Sequence, residues 1–241
     1  MIPSQENFNK YYQFLSKLEV FEGVSTKDLT DFFRSIQIKQ YRKGEMVSFN
    51  ESEHAKLYIV FDGLFKLVKF DENGEEVVLN IMDVGDVVTP MYFSPYYDVC
   101  AEFVKNTTVI SFSRDIVDNF IARNHQFSTN INRYLAASVQ SIMIKIEVMQ
   151  LKNAKEKVGW YLVHAKINES FELPYPKTLI AAYLGITPES FSRALSELKK
   201  EGIVLENKSI KLQSGDELCK YCDRVTGSSC AFFKTEACLH N

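Results

Sequence analysis

The sequence predicts an α+β fold: a body of short antiparallel strands forming a sandwich or roll, one long helix, and a C-terminal winged helix-turn-helix. Three observations predict it. Between about Ile36 and Ser113, apolar runs of strand length alternate with turn signals. From Arg114 the texture turns helical for about 40 residues. After that, the order helix, strand, helix, turn, helix, hairpin completes the chain's regular part. The expected divisions are 1–123, the strand body with N-terminal helices; 124–153, the long helix; 154–213, the winged helix-turn-helix; and 214–241, a cysteine-rich extension.

In chain order, residues 1–34 read as helical, with Ser25-Thr26 placed as a cap ahead of Leu29, Phe32 and Phe33. Arg42-Lys43-Gly44, Asp62-Gly63, Asn73-Gly74 and Gly85-Asp86 punctuate the strands. Asn73-Gly74 stands between Leu64–Phe70 and Glu75–Met82. Asn-Gly favours the two-residue hairpin turn whose twist suits paired strands. In the long helix, Leu135, Val139, Ile142, Ile146 and Met149 follow a 4-3-4-3 spacing. Such a narrow seam suits two helices pairing side by side, although a helix buried within one subunit also carries an apolar stripe. Ile144, Val148 and Leu151 lie off the seam and are expected to pack on the chain's own body. Residues 154–168 read as a helix, Phe171–Pro174 as a short strand, and Ile203–Glu206 with Ser209–Leu212 as a hairpin about Asn207-Lys208.

The segment Lys177 to Glu201 carries the sharpest functional signal. Ala181 is small where two helices must cross, and Gly185 occupies a turn position that often needs positive φ. Thr187 is a good N-cap, and Pro188 follows at the first helical position, where its missing N–H costs nothing. Phe191, Ala194, Leu195 and Leu198 fall at i, i+3, i+4 and i+7 and should face a core. Glu189, Ser192, Arg193 and Ser196 fall on the opposite face. Arginine suits guanine O6 and N7, glutamate accepts from cytosine N4, and serine serves several bases. These residues are the candidate readers of double-stranded DNA. Lys177, Thr178, Thr187, Ser190 and Lys208 are candidates for phosphate contacts, which position a protein without specifying sequence.

Here the chain resembles the Crp/Fnr family of bacterial regulators. Leu179-Ile-Ala-Ala-Tyr-Leu-Gly-Ile-Thr-Pro-Glu-Ser-Phe-Ser-Arg193 is similar to that family's helix-turn-helix, and Lys43-Gly44-Glu45 and Gly85-Asp86 occur at its β-roll turns. The resemblance implies a cyclic-nucleotide-binding-like antiparallel β-roll as sensor, a dimerisation helix, a homodimer on an inverted repeat, and RNA polymerase as a partner. Glu189-x-x-Ser192-Arg193 resembles the Fnr and Dnr branch. The Crp branch places an arginine directly before the glutamate, where this chain has Pro188. The resemblance therefore implies half-sites like TTGAT.

The signal that controls such a reader is open. A buried phosphate needs a partner charge, which the family supplies with an arginine after a Gly-Glu pair. This chain has no arginine between Arg42 and Arg114, which disfavours cAMP. Met91, Tyr92, Phe93, Tyr96 and Tyr97 are core candidates, with a haem pocket as the weaker reading. His54, His125 and His164 are isolated, and none is assigned as a ligand. Four of the five cysteines, Cys219, Cys222, Cys230 and Cys238, crowd the last 23 residues. Two thiolates separated by two residues suit one metal, and the set suits a [4Fe–4S] cluster, structural zinc or a thiol–disulfide switch. Some Fnr-like regulators of the Bacillus type are similar in carrying a cysteine-rich cluster segment after the winged domain. A cluster would make oxygen or nitric oxide the natural input.

Composition narrows the classes. The net charge of -3 gives no global field toward nucleic acid, so binding must be local; residues 155–212 hold nine Lys and Arg against seven Asp and Glu. No apolar run approaches the roughly 18 residues of a membrane span, and the N-terminus lacks an export signal, so a cytoplasmic location is expected. No nucleophile–base pair, phosphate-cradling Gly loop or catalytic carboxylate pair is visible, which argues against an enzyme. A sensing module that uses its winged helix for protein contact is the competing class.

Overall fold

The structure is a computed structural model, and it describes residues 5–48, 56–88, 99–164, 172–206, 209–212 and 217–223. The chain divides into two compact units, Met1–Ser141 and Ile142–Asn241. Among the described residues no helix is long and apolar enough to cross a membrane.

The first unit is the predicted antiparallel body. Helices α1 (Gln5–Leu15) and α2 (Thr26–Phe33) precede it, joined through a 3₁₀ turn at Glu19–Phe21. Ser25 caps α2 as expected, its hydroxyl accepting from the Asp28 N–H at 3.1 Å. Among the described residues eight strands follow: β1 (Gln37–Tyr41), β2 (Met46–Ser48), β3 (Lys56–Asp62), β4 (Leu64–Phe70), β5 (Glu76–Asp83), β6 (Val87–Val88), β7 (Cys100–Phe103) and β8 (Thr107–Ser113). They form two four-stranded sheets in the orders β1-β8-β3-β6 and β2-β7-β4-β5. One core lies between the strands, around Tyr58, Val60, Phe65, Leu67 and Phe103. A second packs the helices on the strands through Phe21, Phe32, Phe33, Phe112 and Phe127.

The Asn73-Gly74 hairpin forms, but not with the two-residue turn expected. Asp71 N–H donates to the Glu75 carbonyl at 3.0 Å and closes a three-residue loop, with Gly74 at φ 83°. The cause is Asp71, whose carboxylate accepts from the N–H groups of both Asn73 and Glu75 at 2.8 Å. These bonds hold its carboxyl below the usual range, the Glu75 N–H foremost. A local side chain has outcompeted the shorter turn.

Helices α3 (Arg114–Arg123) and α4 (His125–Leu151) close the first unit and lead into the second. Near its start, α4 is tied down by buried Asn130, which donates to the carbonyls of Val20 and Glu22, and by Tyr134, which bonds the backbone of Val87. The seam residues divide. Leu135 packs on the first unit's core and Met149 on the second's. Val139, Ile142 and Ile146 are 59%, 57% and 50% exposed, and Met143 beside them is 62% exposed. Off the seam, Val148 is buried and Ile144 packs beside it, as expected, but Leu151 is 73% exposed. Leu151 is the last residue of α4, so no further turn carries it onto the core.

The second unit contains α5 (Ala154–His164), α6 (Lys177–Tyr183), α7 (Pro188–Lys200) and the hairpin β9 (Ile203–Glu206) with β10 (Ser209–Leu212). Asn153 and Glu156 exchange side-chain-to-backbone bonds ahead of α5, at 2.9 and 3.1 Å, a reciprocal cap. The core gathers Trp160, Leu162, Ile180, Leu184, Phe191, Leu198, Ile203 and Ile210. Of the strand expected at Phe171–Pro174, the described part contributes one bridge, Glu172 to Ser209; Pro174 lacks the N–H that a longer ladder needs. Phe171 and residues 165–168 lie outside the described residues, as do Asn207 and Lys208.

Candidate nucleic-acid interface

Helices α6 and α7 are joined by a turn that the sequence dictates almost completely. Leu184 N–H bonds back to Ile180 and Ala181, and Gly185, at φ 60°, lets the chain reverse so that Ile186 N–H also reaches Ala181. Ala181 is fully buried where the two helices approach. Thr187 then caps α7, its hydroxyl accepting from the Ser190 N–H at 3.1 Å and donating to the Ser190 hydroxyl at 3.1 Å.

The faces of α7 separate as the spacing predicts. Phe191, Ala194 and Leu198 are buried, and Leu195 is half-buried against the same core. Glu189, Ser192, Arg193 and Ser196 are all exposed. Ser192 donates its proton to the Pro188 carbonyl at 2.9 Å, and Ser196 does the same to Ser192 at 3.0 Å. In this arrangement Ser192 turns its lone pairs outward. Glu189 is held below its usual pKa by its own backbone N–H first, then by the Thr187 side chain, with the Arg193 charge one turn along adding to them. The exposed face therefore presents a carboxylate, a hydroxyl acceptor and a guanidinium within two turns.

Lys177 and Thr178 are exposed at the first turn of α6, close in sequence to that face. Thr187 and Ser190 are already engaged with each other in the cap, so their first role is to hold the helix. Lys208 lies outside the described residues.

Of the cysteines, Cys219 opens a 3₁₀ turn, Cys219–Tyr221, and Cys222 ends it, its N–H bonded to the Cys219 carbonyl at 3.1 Å. Both are half-buried. Cys230 and Cys238 lie outside the described residues, and among the described residues no group of three or more His, Cys, Asp and Glu side chains is arranged to hold a metal ion. Met91, Tyr92, Phe93, Tyr96, Tyr97 and His54 also lie outside the described residues.

The structure adds a cluster that the sequence reading missed. The Tyr221 ring lies against Gly159 in the middle of α5, and a Cβ at Gly159 would come within 2.4 Å of it. Tyr221 donates its hydroxyl proton to Glu201, the residue that caps the C-terminus of α7. Lys155 and Lys220 bind the same carboxylate at 2.8 and 2.6 Å. Together these partners, Lys155 foremost, push the Glu201 pKa down to about 2. Asp223 accepts from Trp160 Nε1 at 3.3 Å and lies 2.8 Å from His164 Nε2. The available signal was Gly159, since a glycine inside a helix costs about 1 kcal/mol relative to alanine and marks a close approach.

The comparisons with known proteins agree with this architecture. Residues 38–124 match the sequence model of the cyclic nucleotide-binding domain, and residues 156–221 match that of the Crp-like helix-turn-helix domain. The "Fumarate and nitrate reduction regulatory protein" of Escherichia coli strain K12 is 21% identical over 192 residues, 76% of this chain and 77% of that one. The chain belongs to the Crp/Fnr family of transcriptional regulators. Its general function is DNA-binding regulation of transcription, and the family acts by binding rather than by catalysis. Among this regulator's relatives, the "Nitrogen fixation regulation protein FixK" of Bradyrhizobium diazoefficiens is 24% identical over 193 residues, covering 77% of this chain and 81% of FixK. The solved structure of FixK2 from Bradyrhizobium japonicum aligns with a TM-score of 0.68 at 24% identity, over 78% of this chain and 98% of that one, and shares the fold.

Proposed function

We propose that the regulator is a homodimer that reads an inverted repeat with TTGAT-like half-sites through Glu189, Ser192 and Arg193, and that a redox, oxygen or nitric oxide signal at the C-terminal cysteines controls it. The observation that carries the reading is the clean exposed face of α7: a guanidinium, an ionised carboxylate and a hydroxyl acceptor on a helix fixed by its own cap and core. Arg193 suits guanine, and Glu189 and Ser192 suit amino groups on cytosine or adenine. Lys177, Thr178 and Lys208 would contact phosphates, with Thr187 and Ser190 holding the first turn. A duplex TTGAT–N4–ATCAA, tested against scrambled DNA across a salt series, decides it. Retained discrimination after Arg193→Ala would sink the assignment.

A second copy of the chain is the natural cover for Val139, Ile142, Met143 and Ile146, a continuous apolar stripe on α4. Ile142→Glu should convert the dimer to monomer in sedimentation equilibrium. RNA polymerase as partner and a cytoplasmic location follow from the family.

For the cysteines the donor chemistry supports a metal. Cys219 and Cys222 stand at opposite ends of one 3₁₀ turn, and Cys222 lines a cavity of about 620 Å³ together with Asp223, Trp160 and Tyr221. Cys219, Cys222, Cys230 and Cys238 would hold a [4Fe–4S] cluster, with zinc as the alternative. A cluster would supply sensitivity to oxygen or nitric oxide. Anaerobic purification followed by absorption spectra and iron and zinc analysis separates the two. We read the β-roll as unsuited to cAMP because it lacks the arginine, with haem the weaker alternative.

A further inference from the structure

We infer that Leu218–Asp223 is a strut for the recognition helix, with Tyr221 and Lys220 as positioning residues that act through Glu201. The inference rests on the reading of α7 as the helix that contacts DNA.

Glu201 occupies an awkward place. It is the C-cap of α7, where the helix dipole presents its negative end and a carboxylate is disfavoured. The position is made favourable from outside the helix. Lys155 reaches it from the first turn of α5, and Lys220 and Tyr221 reach it from the C-terminal segment. The C-terminal end of α7 is thereby tied to two separate elements. The DNA-facing residues sit on the same rigid rod, so a tilt at Glu201 moves Arg193, about two turns away, relative to the groove.

The segment's seat is built rather than incidental. Tyr221 is accommodated because α5 has no side chain at Gly159. Asp223 is held at the other side by Trp160 and His164, whose rings lie against each other at a 35° tilt, 4.3 Å between centroids. Leu218 and Tyr221 pack against the second unit's core. Lys220 and Tyr221 are also the two residues between Cys219 and Cys222, so the ties to Glu201 originate inside the Cys-x2-Cys pair.

Trp160 is the chain's single tryptophan, and its fluorescence reports the seat directly. Gly159→Ala is the decisive variant in the full chain. It improves helix propensity in α5 while filling the space under the Tyr221 ring. Gly159→Ala and Tyr221→Ala should each shift Trp160 emission and lower the preference for the TTGAT duplex over scrambled DNA about tenfold, leaving scrambled-DNA binding within twofold. Tyr221→Phe keeps the ring but loses the bond to Glu201, and should lower the preference about threefold with emission nearly unchanged. Gly159→Ala added to Tyr221→Ala should change nothing further, because the two act on one contact. A shift in Trp160 emission with DNA preference unchanged would show a seat that positions nothing and would overturn the inference. Unchanged emission and preference would overturn it too. Arg193→Ala is the control: if it abolishes the preference while Gly159→Ala does not, the strut alone falls. If Arg193→Ala leaves the preference intact, the reading of α7 is what fails.

Discussion

Helix α7, proposed above as the DNA reader, and the segment Leu218–Asp223 both carry residues that chemistry singles out, yet they are held in place over very different distances along the chain. In α7 the cap reaches three residues, from Thr187 to Ser190, and the hydroxyl bonds of Ser192 and Ser196 each reach back four. The segment is held by Tyr221 to Glu201, 20 residues away, and by Asp223 to Trp160, 63 away. The helix is defined mainly by its neighbours in sequence, and the segment by partners that only folding supplies. A local arrangement can be read from spacing; a long-range one can only be recognised once its partners are known.

Four substitutions break or sharpen that contrast, in descending order of expected effect. Phe191→Ala removes the ring that roots α7 in the core and should cost about 3–5 kcal/mol in urea unfolding. Were the cost below about 1 kcal/mol, α7 would owe its place to something other than its apolar stripe. Arg193→Ala should cost about 1–3 kcal/mol per half-site on TTGAT DNA while leaving the unfolding midpoint unchanged. That outcome separates the helix's reading face from its packing face. Thr187→Ala should cost about 1 kcal/mol of stability, because the Ser190 N–H loses its acceptor.

Glu201→Gln carries the smallest effect and tests the long-range side. Glu201 is close to the surface, and exposed ion pairs are screened, so less than about 1 kcal/mol is expected at neutral pH. The sign of its pH dependence follows from a folded pKa of about 2 against the ordinary 4.5. The contribution is complete above about pH 4.5 and is lost as the pH falls toward 2. Wild type and Glu201→Gln should therefore differ in urea midpoint at pH 6 and converge near pH 2. A difference that persists at pH 2 would assign the effect to packing instead of charge.

Much of the fold was legible in the sequence, for reasons visible at single positions. The winged unit could be read because Gly185, Thr187 and Pro188 each carry a backbone requirement that few other residues meet, and all three agree with the apolar spacing beyond them. The strand body was readable in its turns and less so in their detail, since Asn73-Gly74 marked the hairpin while Asp71 chose its loop. The long helix was readable as a helix, but Leu135 and Met149 share the seam's spacing with Val139 and Ile142 and differ from them in being covered by the chain itself.

By itself, the sequence determined the two architectures, the order of their elements and the polar face of α7, because periodicity, capping and turn chemistry act within a few residues. Only the tertiary structure decided which seam residues stay exposed, and that Tyr221 rests on Gly159 and bonds to Glu201. Those outcomes depend on which distant surfaces meet. A contact between residues 20 or 60 apart forms only when the intervening chain has folded to bring them together, and no local pattern records it.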